Sequence, residues 1–326
     1  MLAVTDLSAF LRDARREAER AISVFTRTHD NLGLAKAWHV LAQTDWVVGR
    51  SAEASTAAAR ARGFAQGASD RSQEAKTIRL YCQVLLSGAT PVVEVTERAQ
   101  QALTLARTTG LRSLEASMLT TLAQTAAMAG DFDSAREHSK EGSAVALELG
   151  ELLTRAADSA REGLVLLLQE EPADAEETLR KGYGALERMG ATTPQASIAV
   201  LLARVFLHQG RYGEAEEMIE VCGRLAAADH VDIQVKRQSV RAILLAHRGK
   251  LEEAERSARL AVELAETTDQ LDTLAQAHAD LAAILRIATQ REEAIQELER
   301  ALRLYRRKGN DTGVRAVRRE LINLRR

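Results

Sequence analysis

The sequence predicts an all-α solenoid, about seven helix-turn-helix repeats in file with a capping helix at each end. Three observations carry that expectation. Small residues recur at Ala14, Ala54, Val95, Ala135, Ala175, Ala215, Ala254 and Ala294, spaced 39 to 41 residues apart. Seven residues after each comes a second ladder, Ala21, Ala61, Ala102, Gly142, Gly182, Cys222, Ala261 and Ala301. Seven residues is close to two helical turns, so each pair lies on one helix face where a neighbouring helix can approach closely. Two ladders in phase over nearly the whole chain are the mark of a repeat array. The third observation is composition: 46% apolar residues, 3% aromatic and three prolines suit closely packed helices rich in Ala and Leu.

Taken in order, residues 6–28 form one long helix with Leu7, Phe10, Leu11, Ala14, Ala18, Ala21, Ile22 and Phe25 at helical spacing. It is of the second-helix type with no first helix before it. Glu19 to Gly33 (ERAISVFTRTHDNLG) aligns with Glu299 to Gly313 (ERALRLYRRKGNDTG), seven periods later. Either this helix caps the array, or the chain is a piece of a longer protein. Repeats are expected over 30–68, 70–109, 111–149, 151–190, 192–229, 231–269 and 270–309, within one domain of 1–326. Their first helices fall near 31–48, 70–87, 111–129, 151–169, 192–209, 232–248 and 270–288. Gly49, Gly88, Gly130, Gly210 and Gly249 fall between paired helices, and Gly110, Gly150, Gly190 and Gly309 between repeats, where a close reversal calls for left-handed backbone. The turn Ser87 to Pro91 is two residues longer, and Pro91 suits the first turn of the next helix. A final helix over 311–325 sets Val314, Val317, Leu321 and Leu324 on one side and basic residues on the other, as a terminal cap requires.

The turns Gly130 to Ala135 (GDFDSA), Gly210 to Ala215 (GRYGEA) and Gly249 to Ala254 (GKLEEA), joined to paired helices with small residues at the ladder positions, resemble tetratricopeptide repeats. Leu202, Ala203, Phe206, Gly210, Tyr212 and Ala215 fit that pattern best, and Trp38, Leu41, Ala42, Gly49 and Ala54 fit it well. The period here is about 40 rather than about 34. Arg241 and Glu162 also stand where a leucine is usual. The resemblance implies a right-handed superhelix with first helices on the concave side. Lengthened repeats of this kind are similar to those of kinesin light chains and of bacterial regulators, among them the maltose-regulon activator, signal-transducing ATPases and cyclases. That likeness implies a catalytic or DNA-binding portion attached before residue 1.

A net charge of -2 gives no global electrostatic case for nucleic acid or an anionic membrane, and the scarcity of aromatics argues against base stacking. The stretch Arg303 to Arg326 is locally basic, with a balance of +7, and reads as a solvated end-cap face or a dock for an acidic surface. Apolar runs are too short to span a bilayer and the N-terminus is unlike a secretion signal. Cys82 and Cys222 form no motif, so a reduced, cytoplasmic setting is expected.

No phosphate loop, nucleophile elbow, HExxH or dinucleotide fingerprint is present, and Asp131 to Gly142 lacks the glycine and terminal glutamate of a calcium loop. His39, His208, His247 and His278 fall in different repeats, and Cys222 is explained by its place in the ladder. The expectation is therefore a chain without catalysis, cofactor or metal, which binds through its surface. In the family's register the concave lining comprises Lys36, His39, Gln43 and Trp46, then Ser117, Thr120 and Gln124, then Leu164 and Leu167. Arg204 and Leu207, Lys236 and Ser239, and Gln276 and Arg286 complete it. Cationic and amide groups around an apolar middle suit a peptide or protein segment with acidic flanks. On that reading, charge reversal at Arg204 and Lys236 weakens binding without lowering the melting temperature. An effector-sensing solenoid that encloses a small molecule is the alternative, and self-association through the terminal helices is a further expectation.

Overall fold

In the computed structural model the described residues are 7–150, 152–226 and 230–326. The side chains of Leu7 and Phe10 and the expected repeat boundaries at 151 and 229 lie outside them. The described residues form helices with no strand. In chain order these are α1 (Leu7–Thr28), α2 (Asn31–Val47), α3 (Ser51–Gly67), α4 (Arg71–Ser87), α5 (Val92–Thr109), α6 (Arg112–Ala129), α7 (Phe132–Glu148) and α8 (Leu152–Leu168). There follow α9 (Pro172–Met189), α10 (Thr192–His208), α11 (Tyr212–Leu225), α12 (Val231–His247), α13 (Leu251–Glu266), α14 (Leu271–Ile287), α15 (Arg291–Lys308) and α16 (Asp311–Arg325). The even-numbered helices, from α2 to α14, pack on one another as an inner layer, and each odd-numbered helix packs outside, between its own partner and the next inner helix.

The small-residue ladders set this spacing. Ala54, Val95, Ala135, Ala175, Ala215, Ala254 and Ala294 are all fully buried. At Gly182 a β-carbon would lie 2.9 Å from the Ala156 carbonyl oxygen and closer still to Ser159 Oγ, so α9 and α8 touch at a distance only glycine allows. Asp30, Asp70 and Asp131 cap α2, α4 and α7 by accepting from the backbone N–H three residues on, which satisfies one of the orphan donors at each helix start. Most of the glycine turns take the expected left-handed backbone, but Gly88 does not: its φ is -81°, because the longer Ser87 to Pro91 connection needs no left-handed step. His29, Ser69, Glu170 and Thr289 supply that conformation where no glycine is present. Glu162, at a position that favours leucine, is half-buried and accepts a hydrogen bond from Ser143; burial raises its pKa.

Ion pairs bind successive outer helices. Glu176 of α9 accepts from Arg180 Nε at 2.8 Å and from Arg211 Nη1, just ahead of α11, at 2.6 Å, while both guanidinium groups lie over the Phe206 ring. Partial burial works against the Glu176 carboxylate, but the arginine hydrogen bonds outweigh it and bring its pKa down to about 2 from 4.5. A depressed carboxylate stabilises fully above its unfolded pKa and loses that contribution as pH falls through the folded one. Glu176→Gln should therefore cost about 1 kcal/mol at pH 7, solvent screening included. The difference should fade between pH 4.5 and about 2, measured as melting temperature against pH.

The array does not stay open at its ends. Its far end meets its near end. Asp269, in the turn before α14, accepts from Ser51 N at 2.9 Å and Ala52 N at 2.6 Å, the free amides at the start of α3. Lys308, fully buried, donates to the carbonyls of Leu85 (3.1 Å), Gly88 (2.8 Å) and Thr90 (2.8 Å) at the end of α4. Thr312 Oγ1 donates to Ala127 O at 2.7 Å, and Arg319 pairs with Glu170 at 3.2 Å. The basic tail is thus not simply a solvated face: Lys308 and Arg319 close a seam, and Arg325 pairs with Glu299.

Candidate functional site: a chamber inside the closed superhelix

Closure of the seam leaves a cavity of about 510 Å³ inside the array, and every even-numbered helix from α2 to α16 contributes to its wall. The wall is cut obliquely. It takes the C-terminal halves of α2, α4, α6 and α8, the middle of α10, and the N-terminal halves of α12, α14 and α16. That obliquity decides which of the expected lining residues reach it.

Trp46, Gln124, Leu164, Arg204, Lys236, Ser239 and Gln276 are brought together on this wall. The others are not. Lys36 and Gln43 are exposed elsewhere on α2, and Arg286 is exposed on the far half of α14. His39 sits half-buried between α2 and α4 with Nδ1 3.4 Å from Thr77 Oγ1; burial, then Arg79 and Lys76, lowers its pKa to about 4, so it is neutral. Ser117 and Thr120 are buried in α6 and donate back to the carbonyls of Ser113 and Ala116, each at 3.0 Å. Leu167 and Leu207 pack against the apolar core between α8 and α12. A stripe at helical spacing marks one side of a helix, but only the end of it that the oblique wall crosses faces the chamber.

The charged groups on the wall are balanced. Arg204 pairs with Asp280, whose other oxygen accepts from Gln276 Nε2 at 2.9 Å. Gln276 Oε1 accepts from Tyr305 OH at 3.1 Å, a phenol that burial holds in its neutral form. Lys236 pairs with Asp232 at 2.7 Å, and Thr273 Oγ1 donates to the same carboxylate at 2.9 Å. Asp272 accepts from Asn310 Nδ2 at 3.1 Å, and burial raises its pKa. Arg204 and Lys236, read from the sequence as ligands for acidic flanks, are thus engaged within the chain. Reversing Arg204 and Lys236 would disturb folding as well as any binding.

Two buried polar atoms on the wall have no partner in the protein, Gln124 Oε1 and His230 Nδ1. A buried polar atom without a hydrogen bond is costly. Apolar surface fills the remainder, from Leu86, Met128, Leu164, Val200, Leu201 and Val235. His230, Asp232, Asp272, Tyr305 and Asn310 were missed by sequence reasoning. The signal for three wall positions was in the period: His230, Gln270 and Asn310 stand 40 residues apart, each just before an inner helix.

Burial pushes the Cys82 thiol up to about 12 and Cys222 up to about 11, far from a reactive thiolate. Among the described residues no group of three or more His, Cys, Asp or Glu side chains could hold a metal ion. Among them, too, no helix is long and apolar enough to cross a membrane.

Fold and chamber together define a helical solenoid of the tetratricopeptide type. No protein-family model matches the sequence, and no curated protein matches it. Solved structures share the fold. A Rap protein complexed with Competence and Sporulation Factor is 15% identical, with 90% of this chain and 77% of that chain covered and a TM-score of 0.68. A Signal Transduction ATPase with Numerous Domains from Pyrococcus horikoshii, with a tetratricopeptide repeat sensor, is 10% identical at a TM-score of 0.57. That match covers 95% of this chain and 53% of the other, so this chain spans about half of that protein's length. An IFIT1 monomeric mutant with Gppp-AAAA is 16% identical over 91% of this chain and 66% of that one, with a TM-score of 0.53. At these identities the likeness is one of fold.

Proposed function

We propose that this protein is a non-catalytic binding scaffold that captures a short peptide or protein segment in the axial chamber. In this reading it works in the cytoplasm as the regulatory repeat segment of a larger bacterial signalling protein. The observation that carries the reading is the chamber itself, in which apolar surface from Leu86, Met128, Leu164, Val200, Leu201 and Val235 adjoins polar groups whose charges are paired within the chain. A peptide offers amide N–H and C=O groups to the polar side chains of the wall and apolar side chains to the leucine and valine surface. The volume is within the range of small-ligand sites, which admits a segment of a few residues. The Rap complex and the repeat sensor of the Signal Transduction ATPase, which share this fold, support a role in recognition.

A second reading, an enclosed small effector, is favoured by the seam, because contacts at Lys308 and Asp269 close the ring around the chamber. One experiment separates the two. Thermal shift is measured against a library of random heptapeptides and, in parallel, a panel of metabolites, with wild type and Leu164→Glu. Leu164 is only partly buried and faces the chamber, so the variant should fold. Peptide hits at about 100 times their Kd should add about 2.7 kcal/mol, and Leu164→Glu should abolish the shift. Hits confined to the metabolites would replace the first reading with the second. Hits that ignore Leu164→Glu would remove the chamber as the site.

A further inference from the structure

The chamber wall changes character along the ring. From α4 to α10 it is largely apolar, with Leu86, Met128, Leu164, Val200 and Leu201, whereas the starts of α12, α14 and α16 line it with hydrogen-bonding groups. Two positions there recur every 40 residues: His230, Gln270 and Asn310 just before each helix, and Asp232, Asp272 and Thr312 in each first turn. Equal places in the repeat do not carry equal charge.

Lys236 stands four residues after Asp232, one turn along the same helix face, and pairs with it at 2.7 Å. Gln276 holds that place after Asp272, and its amide is turned to Asp280 and Tyr305 instead. Asp272 accepts from Asn310 Nδ2 at 3.1 Å and, among the described residues, forms no ion pair. Lys308 acts on it only from a distance, its ammonium engaged by three carbonyls across the seam. Burial opposes both carboxylates. At Asp232 the adjoining lysine outweighs it and the pKa falls, whereas at Asp272 the amide and the more distant lysines do not, and the pKa rises. Elsewhere on the wall Arg161, Arg204 and Arg319 each have a carboxylate partner, in Asp158, Asp280 and Glu170. The wall's uncompensated charge is therefore acidic.

We propose that the chamber's occupant is a cationic peptide segment, with an ammonium group set against Asp272 and aliphatic side chains on Leu164, Val200 and Leu201. The chamber must be the binding site for this to hold, and the charge is opposite to the acidic flanks that the sequence suggests. An ammonium brings three donors to a carboxylate that burial penalises. In a peptide that group is a free amino terminus or a lysine side chain. An acidic segment would meet Asp272 with the wrong sign and find Arg204 and Lys236 already held by Asp280 and Asp232.

The test titrates thermal shift with pools of C-terminally amidated heptapeptides built from leucine, valine, serine and glutamine. Each pool is made with a free amino terminus, N-acetylated, N-acetylated with one lysine, or N-acetylated with one glutamate. Wild type should bind the free-terminus or the lysine pool at least about tenfold more tightly than the acetylated and glutamate pools, and the tighter of the two identifies the source of the ammonium. Asp272→Asn keeps an acceptor for Asn310, so it should fold with a melting temperature no lower than wild type and lose that preference. Gln276→Lys, which copies the pattern of α12, should lose it as well by supplying the cation from within. Pools that bind alike, and lose binding in Leu164→Glu, would overturn the charge selection while leaving the chamber as the site. A preference that survives Asp272→Asn, or tighter binding of the glutamate pool, would also overturn it. No binding by any pool would remove the peptide reading and the charge selection together.

Discussion

Lys308→Met should open the ring. The lysine is fully buried where α4 ends, and its ammonium serves three carbonyls at once, Leu85 in the last turn, where an α-helix leaves acceptors without intrahelical partners, and Gly88 and Thr90 in the connection that follows. Burial lowers its pKa to about 8, against the pull of Asp272 and Asp269, so the group remains mostly charged at pH 7. Methionine fills similar space and donates nothing. Each abandoned buried carbonyl costs about 1–3 kcal/mol, and the cheapest relief is for water to enter the seam. The expected result is a larger radius of gyration by X-ray scattering, with far-UV helicity retained because each repeat is held by its own neighbours. Amide exchange at Ser51 and Ala52 should accelerate as Asp269 withdraws, since the same ring holds both contacts. Asp269→Ala removes only a helix cap and should cost about 1 kcal/mol, with a smaller expansion. Scattering and exchange unchanged in Lys308→Met would mean that the ends are not joined.

The contrast between Lys308 and the alanine ladder shows which features a sequence can carry. Ala135, Ala175 and Ala215 are small because another helix passes at each repeat, a local constraint that leaves a mark every 40 residues. Helix ends were legible within a residue or two for the same reason, through the turn glycines, most of which take left-handed backbone. The seam joins residues some 220 positions apart through backbone carbonyls and amides, which belong to every residue and mark none. Lys308 therefore looked like one more charge in a basic tail. The chamber was half legible. The inner helices were assigned correctly, and a helical stripe found Trp46 and Gln124, but the oblique path of the axis along those helices follows from the superhelix and not from any one repeat. Lys36 and His39 lie on the same α2 stripe as Trp46, two to three turns before the wall begins.

Arg204→Glu should be the most damaging single change on the chamber wall. Arg204 on α10 reaches Asp280 on α14, past the intervening α12, and the acid is nearly buried. The substitution sets two carboxylates against each other in a place with little water. Breaking a buried pair from one side costs about 3–5 kcal/mol, because the remaining charge keeps its desolvation and loses its partner. Arg204→Met should cost less, since Gln276 still donates to Asp280 at 2.9 Å. The double change Arg204→Met with Asp280→Leu should return toward wild type, because neither charge is then left buried. Urea midpoints of the four proteins form the test. Equal midpoints for wild type and Arg204→Glu would restore the sequence-based picture of a free cation waiting for an acidic ligand. A collapse rescued by the double change would make Arg204 a strut between two repeats, so that lost binding in Arg204→Glu could not be taken as a lost ligand contact.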